Sequence, residues 1–168
     1  YLLLSRPIKR TEYILGRYFG MILTVGIGLL MMVVVHLGFL LAIGWESELA
    51  YFYSIFGILL KIILISTVAL FFSLFSTSAV ASIVFTIFFW TLGYLGTELK
   101  FLSSKIGNIF LEAVAKFFFY VIPNFQYLNF RDRYENIDYL MVVPITYTLV
   151  YSIVCLILCS ILFSKKEF

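Results

Sequence analysis

Four runs of apolar residues, separated by short polar breaks, organise this 168-residue chain. Three of the runs are long enough to cross a bilayer, whose hydrocarbon core of about 30 Å takes about 20 helical residues. The longest uninterrupted stretch, Met21 to Gly44, holds one ionisable side chain, His36. Its core, Met21 to Leu41, supplies 21 residues. Thr11 followed by Glu12 puts a capping hydroxyl and an acid where a helix would begin, so the first helix is expected to start there. Gly16 and Gly20 give it a small-residue spacing that permits close helix contact. Trp45, in the break Gly44 to Glu48, marks a headgroup level. A second helix runs from Glu48 or Leu49 to Phe75. The hydroxyl-rich stretch Ser73 to Ser82 predicts a tight turn near Ser76-Thr77-Ser78, with Ser76 or Ser78 capping the third helix. That helix continues to Gly96. The last run is followed by Lys165 and Lys166, and Pro144 either kinks its helix or sits in the first turn. The expected spans are about 18–43, 51–75, 78–98 and 140–163.

The region 101–138 breaks this rhythm. It gathers eight charged residues around an apolar core, Phe117 to Ile122, of six residues. Six residues cannot span, and Pro123 stops a helix. An amphipathic helix lying on or dipping into the membrane surface fits the pattern, with crowded aromatics at headgroup level.

Composition agrees with an integral membrane protein: 63% of residues are hydrophobic and 12% charged, and mean hydropathy is +1.08. The net charge of +3 is small and scattered, which argues against nucleic-acid binding. With the first residues in the cytoplasm, Arg6, Lys9, Arg10, Arg17, Lys165 and Lys166 all fall inside. Glu46 and Glu48 then fall outside, as the positive-inside rule requires of four spans. Cys155 and Cys159, four apart in the last run, read as small apolar residues of one helix face rather than a disulfide or metal pair. The chain opens with Tyr1-Leu2-Leu3-Leu4, which reads as the end of an element already under way.

Catalytic chemistry is not indicated. The sequence carries no phosphate-binding loop, zinc motif or dinucleotide fingerprint. His36 is the lone histidine, and the serines lack a His/Asp constellation. No catalytic, cofactor-binding or metal-binding residue is expected. Lys61 lies within the second run. It either faces a pathway or partner, or sits one or two turns below the interface if residues before Phe56 lie in that interface.

The stretch Leu3-Leu4-Ser5-Arg6-Pro7-Ile8-Lys9-Arg10-Thr11-Glu12-Tyr13-Ile14-Leu15-Gly16-Arg17-Tyr18-Phe19-Gly20 resembles the cytoplasmic signature of ABC-2 type transporter permeases. In these a helix ends in a Leu-Leu-Ser-x-Pro turn, followed by an Arg, an acid or hydroxyl, and a Leu-Gly-Lys/Arg entry to the next span. Leu3, Leu4, Ser5, Pro7, Arg10, Glu12, Leu15, Gly16 and Arg17 match, with Arg17 in place of the commoner Lys. Pro123-Asn124-Phe125, before the last span, is similar to the NosY-like branch of the family. The resemblance implies an all-α bundle of six spans, of which this chain would carry the third to sixth. It implies that 1–13 is a cytoplasmic coupling segment, with Ser5, Arg6, Pro7, Lys9, Arg10, Glu12 and Arg17 facing a separate ATP-binding subunit. ATP and Mg would be bound by that partner. A second permease subunit would complete the pathway, in a bacterial or archaeal plasma membrane, and 101–130 would shield its outer end. His36, Lys61, Pro123 and Asn124 are the candidates for pathway lining or packing. Two other readings stay open: a membrane scaffold tethered to anionic lipid by its basic turn, and an ion-coupled carrier.

Overall fold

The computed structural model describes residues 9–45, 49–96, 98, 101, 109–130 and 141–165. The described residues form an all-α bundle with no strand among them. Helix α1 spans Arg10–Ala42, α2 Leu49–Phe75, α3 Ala79–Tyr94, α4 Ile109–Val121 and α5 Val142–Lys165. A 3-10 turn, Phe125–Leu128, follows α4. Three helices, α1, α2 and α5, are long and apolar enough to cross a membrane, and the protein is an integral membrane protein.

Helix α2 is the centre of the bundle: α1, α3 and α5 all pack against it, and α1 also touches α5. One end of the bundle holds the start of α1, the α2–α3 turn and the end of α5. We call it the turn end. The opposite, far end holds α4 and the 3-10 turn, which rests on α2 and α3.

Two clusters hold these helices together. At the turn end, Ile14 and Tyr18 of α1 meet Leu70 and Leu74 of α2 and Cys159 and Phe163 of α5. Toward the far end, Leu60 and Leu64 of α2 close around Phe125, Leu128 and Phe130. Inside a bilayer such packing replaces contact with equally apolar lipid, so fit and hydrogen bonds decide cohesion. Thr67 supplies the bonds between the clusters. Its hydroxyl lies 2.8 Å from the Ile63 carbonyl, 3.1 Å from Tyr18 Oη and 3.3 Å from Ser152 Oγ, joining α1, α2 and α5 through buried side chains.

Several local expectations are corrected, and those at Ser76/Ser78 and Pro144 are narrowed to one of their alternatives. Helix α1 begins at Arg10 rather than Thr11, because Glu12 reaches back to accept from the Lys9 N–H at 3.3 Å. Ser78 is the N-cap of α3 without a side-chain bond. Its neighbour Ser76 folds onto it instead, accepting from the Ser78 N–H at 3.2 Å and donating to the Ser78 carbonyl at 3.0 Å. Helix α3 has 16 residues and ends at Tyr94, short of the expected 98. At about 1.5 Å per residue it covers about 24 Å, less than a hydrocarbon core. Gly16 and Gly20 bring no helix close: a Cβ at either would meet nothing within 4 Å. Pro144 is the third residue of α5, in its first turn.

Candidate functional site

Ile122 to Phe130 is irregular backbone, yet most of it is buried in the bundle. Phe125 and Leu128 are among the most buried side chains in the protein, at 0% and 1% exposure. Their partners Leu60 and Leu64 lie in the middle of α2. Irregular backbone is tolerated at membrane depth only when protein or water satisfies its polar groups. Here side chains do so. Pro123 has no N–H to satisfy. The Asn124 N–H donates to Tyr147 Oη at 2.9 Å, and the Asn124 side-chain oxygen accepts from the Gln126 N–H at 3.0 Å. Gln126 Nε2 donates to the Tyr94 carbonyl at 2.9 Å, covering an orphan carbonyl where α3 ends. Tyr151 Oη donates to the Val121 carbonyl at 3.0 Å, doing the same for α4.

Glycines make room for this segment. A Cβ on Gly57 would sit 2.6 Å from the Leu128 carbonyl oxygen, and one on Gly93 would sit 2.5 Å from that of Pro123 and collide with the Phe125 ring. One on Gly96 would meet the Asn124 side chain at 2.7 Å. The shortness of α3 and the presence of the segment therefore belong together. Helix α3 stops at Tyr94, and the chain returning from α4 fills the space beyond it. The Tyr94 ring packs tilted against Phe125 at 5.5 Å, and Lys61 Nζ lies 5.6 Å from the centroid of the same Tyr94 ring. Lys61 is twelve residues into α2, about 18 Å by helical rise, and its charge is set beside the carbonyl-rich end of α3.

A second set of groups lies at the turn end. Arg17 Nη2 donates to Ser73 Oγ of α2 at 3.0 Å, and Tyr13 stacks on Phe163 of α5 at 5.7 Å. Lys9 is exposed, Arg10 opens α1, and Glu12 serves the cap. Ser5, Arg6 and Pro7 lie outside the described residues, as does the expected continuation from Tyr1 to Leu4. His36 stands apart from both sets, its Nδ1 3.1 Å from Tyr51 Oη, with Trp45 packed edge-on to the same tyrosine. On α4, Glu112 accepts from Lys116 Nζ at 2.6 Å, and that bond holds the ammonium above its ordinary pKa. Among the described residues, no three His, Cys, Asp or Glu side chains gather where a metal ion would bind.

Of the residues singled out in the sequence, Pro123, Asn124 and Lys61 come together around the segment 122–130, and Lys9, Glu12 and Arg17 share the turn end. Tyr147, Tyr151, Gly57, Tyr18, Thr67 and Ser152 were not singled out. The four-residue spacing of Tyr147 and Tyr151 on one helix face was the available signal for two of them.

A family model described as a protein of unknown function (DUF2705) matches residues 1–168. The chain belongs to that family. No curated protein and no solved structure matches it. The architecture of this DUF2705 chain is therefore read from its own residues.

Proposed function

We propose that this DUF2705 chain is the permease subunit of an ATP-driven exporter, forming part of a membrane pathway and taking its energy from a separate ATP-binding subunit. The observation that carries this reading is a mechanical connection. The basic start of α1 is bonded to α2 through Arg17–Ser73 and through Tyr18–Thr67, and is stacked on α5 through Tyr13–Phe163. The other halves of α2 and α5 hold the re-entrant segment through Gly57, Leu60, Tyr147 and Tyr151. A push on the α1 start is thus delivered to the two helices that seat the segment. Lys9, Arg10 and the preceding Ser5, Arg6 and Pro7 form the contact for the ATPase, which binds ATP and Mg. Glu12 shapes that contact by capping the helix. The resemblance of residues 3–20 to ABC-2 permeases supports the same assignment, with the turn end cytoplasmic and a second permease subunit beside this one in a bacterial or archaeal plasma membrane.

The test is mild-detergent co-purification of the full-length native protein, with mass spectrometry and an ATPase assay. A variant carrying Arg6→Glu, Lys9→Glu and Arg10→Glu serves as comparison. A stoichiometric ATPase that is lost from the variant is the expected result. An intact, monodisperse protein without such a partner would favour the scaffold reading.

A further inference from the structure

Helices α3 and α5 both lie on α2 but do not pack along each other, and the space between them is a groove of about 650 Å³. We propose that this groove seats one acyl chain of a membrane phospholipid, drawn from the leaflet at the turn end. Its floor is Val68 and Phe72 of α2, both buried. One wall is Phe89 of α3, packed edge-on against Phe72 at 4.8 Å. The other is the line Val150, Val154 and Leu158 along α5. Tyr120 and Val121 of α4 line the groove at the far end.

Three observations select an acyl chain as occupant. The mouth is continuous with the bilayer-facing surface, since Val150, Val154 and Leu158 are about half exposed there, as are Ile83, Ile87 and Phe88 on α3. Lipid chains are therefore the medium at the opening. The α5 wall from Thr146 to Leu158 runs about 18 Å by helical rise. That approximates one leaflet's share, about 15 Å, of a 30 Å hydrocarbon core. No charged side chain lines the groove, and the hydroxyls of Tyr147 and Tyr151 are already engaged with Asn124 and Val121. An uncharged hydrocarbon leaves none of these groups worse satisfied. In this seating the methyl end lies beside Tyr120 and Val121, and the glycerol emerges toward the turn end. Seating is then indifferent to the headgroup. This inference needs no ATPase and stands whether or not the chain moves cargo.

The experiment reconstitutes the full chain in phosphatidylethanolamine–phosphatidylglycerol vesicles. These are doped with phosphatidylcholine or phosphatidylglycerol spin-labelled near the chain terminus. Electron paramagnetic resonance counts motionally restricted lipids per chain. Val154→Trp fills the groove, whereas Ile157→Trp adds the same bulk to an exposed position outside it. We expect wild type and Ile157→Trp to hold one more restricted lipid than Val154→Trp, with either headgroup. Equal counts in all three would overturn the proposal and leave only annular lipid. If Val154→Trp does not fold, native mass spectrometry of the wild type decides. One retained phospholipid per chain is expected, and a bare chain overturns the proposal.

Discussion

Helices α1 and α2 are nearly equal in hydropathy, yet the most apolar stretch of α1 has no buried residue, whereas nearly half of that of α2 is buried in the protein. A bilayer explains how both can hold. Lipid tails and protein side chains are equally apolar, so hydropathy selects helices that enter the membrane without choosing their neighbours. What separates the two helices is the placement of small and hydroxylated residues. On α2, Gly57, Ser66 and Thr67 are buried and face partners. On α1, Gly16, Gly20, Gly26, Gly28 and Gly38 all open onto space. Thr24 spends its hydroxyl on the Gly20 carbonyl of its own helix, at 2.8 Å. Glycine on a membrane helix is thus a permission for close approach, used on α2 and α3 and unused by this chain on α1.

Substitutions at matched positions can break that contrast. The largest effect is expected from Gly93→Leu, where the added side chain must displace Pro123 and Phe125. Overpacking of this kind costs about 3 kcal/mol. Gly20→Leu, in open space, should stay within about 0.5 kcal/mol. Reversible unfolding in mixed micelles compares the two, and equal losses would remove the distinction between used and unused glycines.

Tyr147→Phe comes next. It keeps the ring packed tilted against Tyr127 but takes away the acceptor for the Asn124 N–H. A buried donor left unpaired costs about 2 kcal/mol. Limited proteolysis should then cut within 122–130 at lower protease concentration than in wild type. Unchanged cleavage would mean that another group accepts this N–H.

A smaller change is expected for Thr67→Val, which severs the links to Tyr18 and Ser152. Hydrogen bonds between membrane helices average about 0.6 kcal/mol. Thr24→Val, whose bond is within one helix, should lie closer to zero on the same unfolding measurement. A larger loss at Thr24 than at Thr67 would contradict the interhelical role of the Thr67 hydroxyl.

These contrasts mark what was legible in the sequence. The membrane helices were readable because a run such as Met21 to Leu41 has one physical explanation, burial in hydrocarbon. The stop at Pro123 and the helix before it followed from proline's missing donor and the charges around Phe117. The third helix was drawn too long because no proline stands between Ala79 and Glu98 to mark an earlier stop. The segment returning from α4 occupies the space beyond Tyr94, and sequence does not carry that long-range fact. The seat itself was hidden for a similar reason: Gly57, Gly93 and Gly96 are distinguished from the α1 glycines only by what approaches them. Asn124 was visible as a candidate beside Pro123, whereas its partner Tyr147, twenty-three residues later, required the fold.

Residues 122–130 are lodged in the bundle on a glycine-lined seat, held by the two tyrosines of α5. Hydrogen–deuterium exchange of the wild-type protein in lipid nanodiscs tests it most directly. Amides of 124–130 are expected to exchange as slowly as those of α2 around Leu64, and Tyr147→Phe should speed the former while leaving the latter unchanged. Complete exchange of 124–130 at the earliest time point in the wild type, with α2 protected, would contradict it.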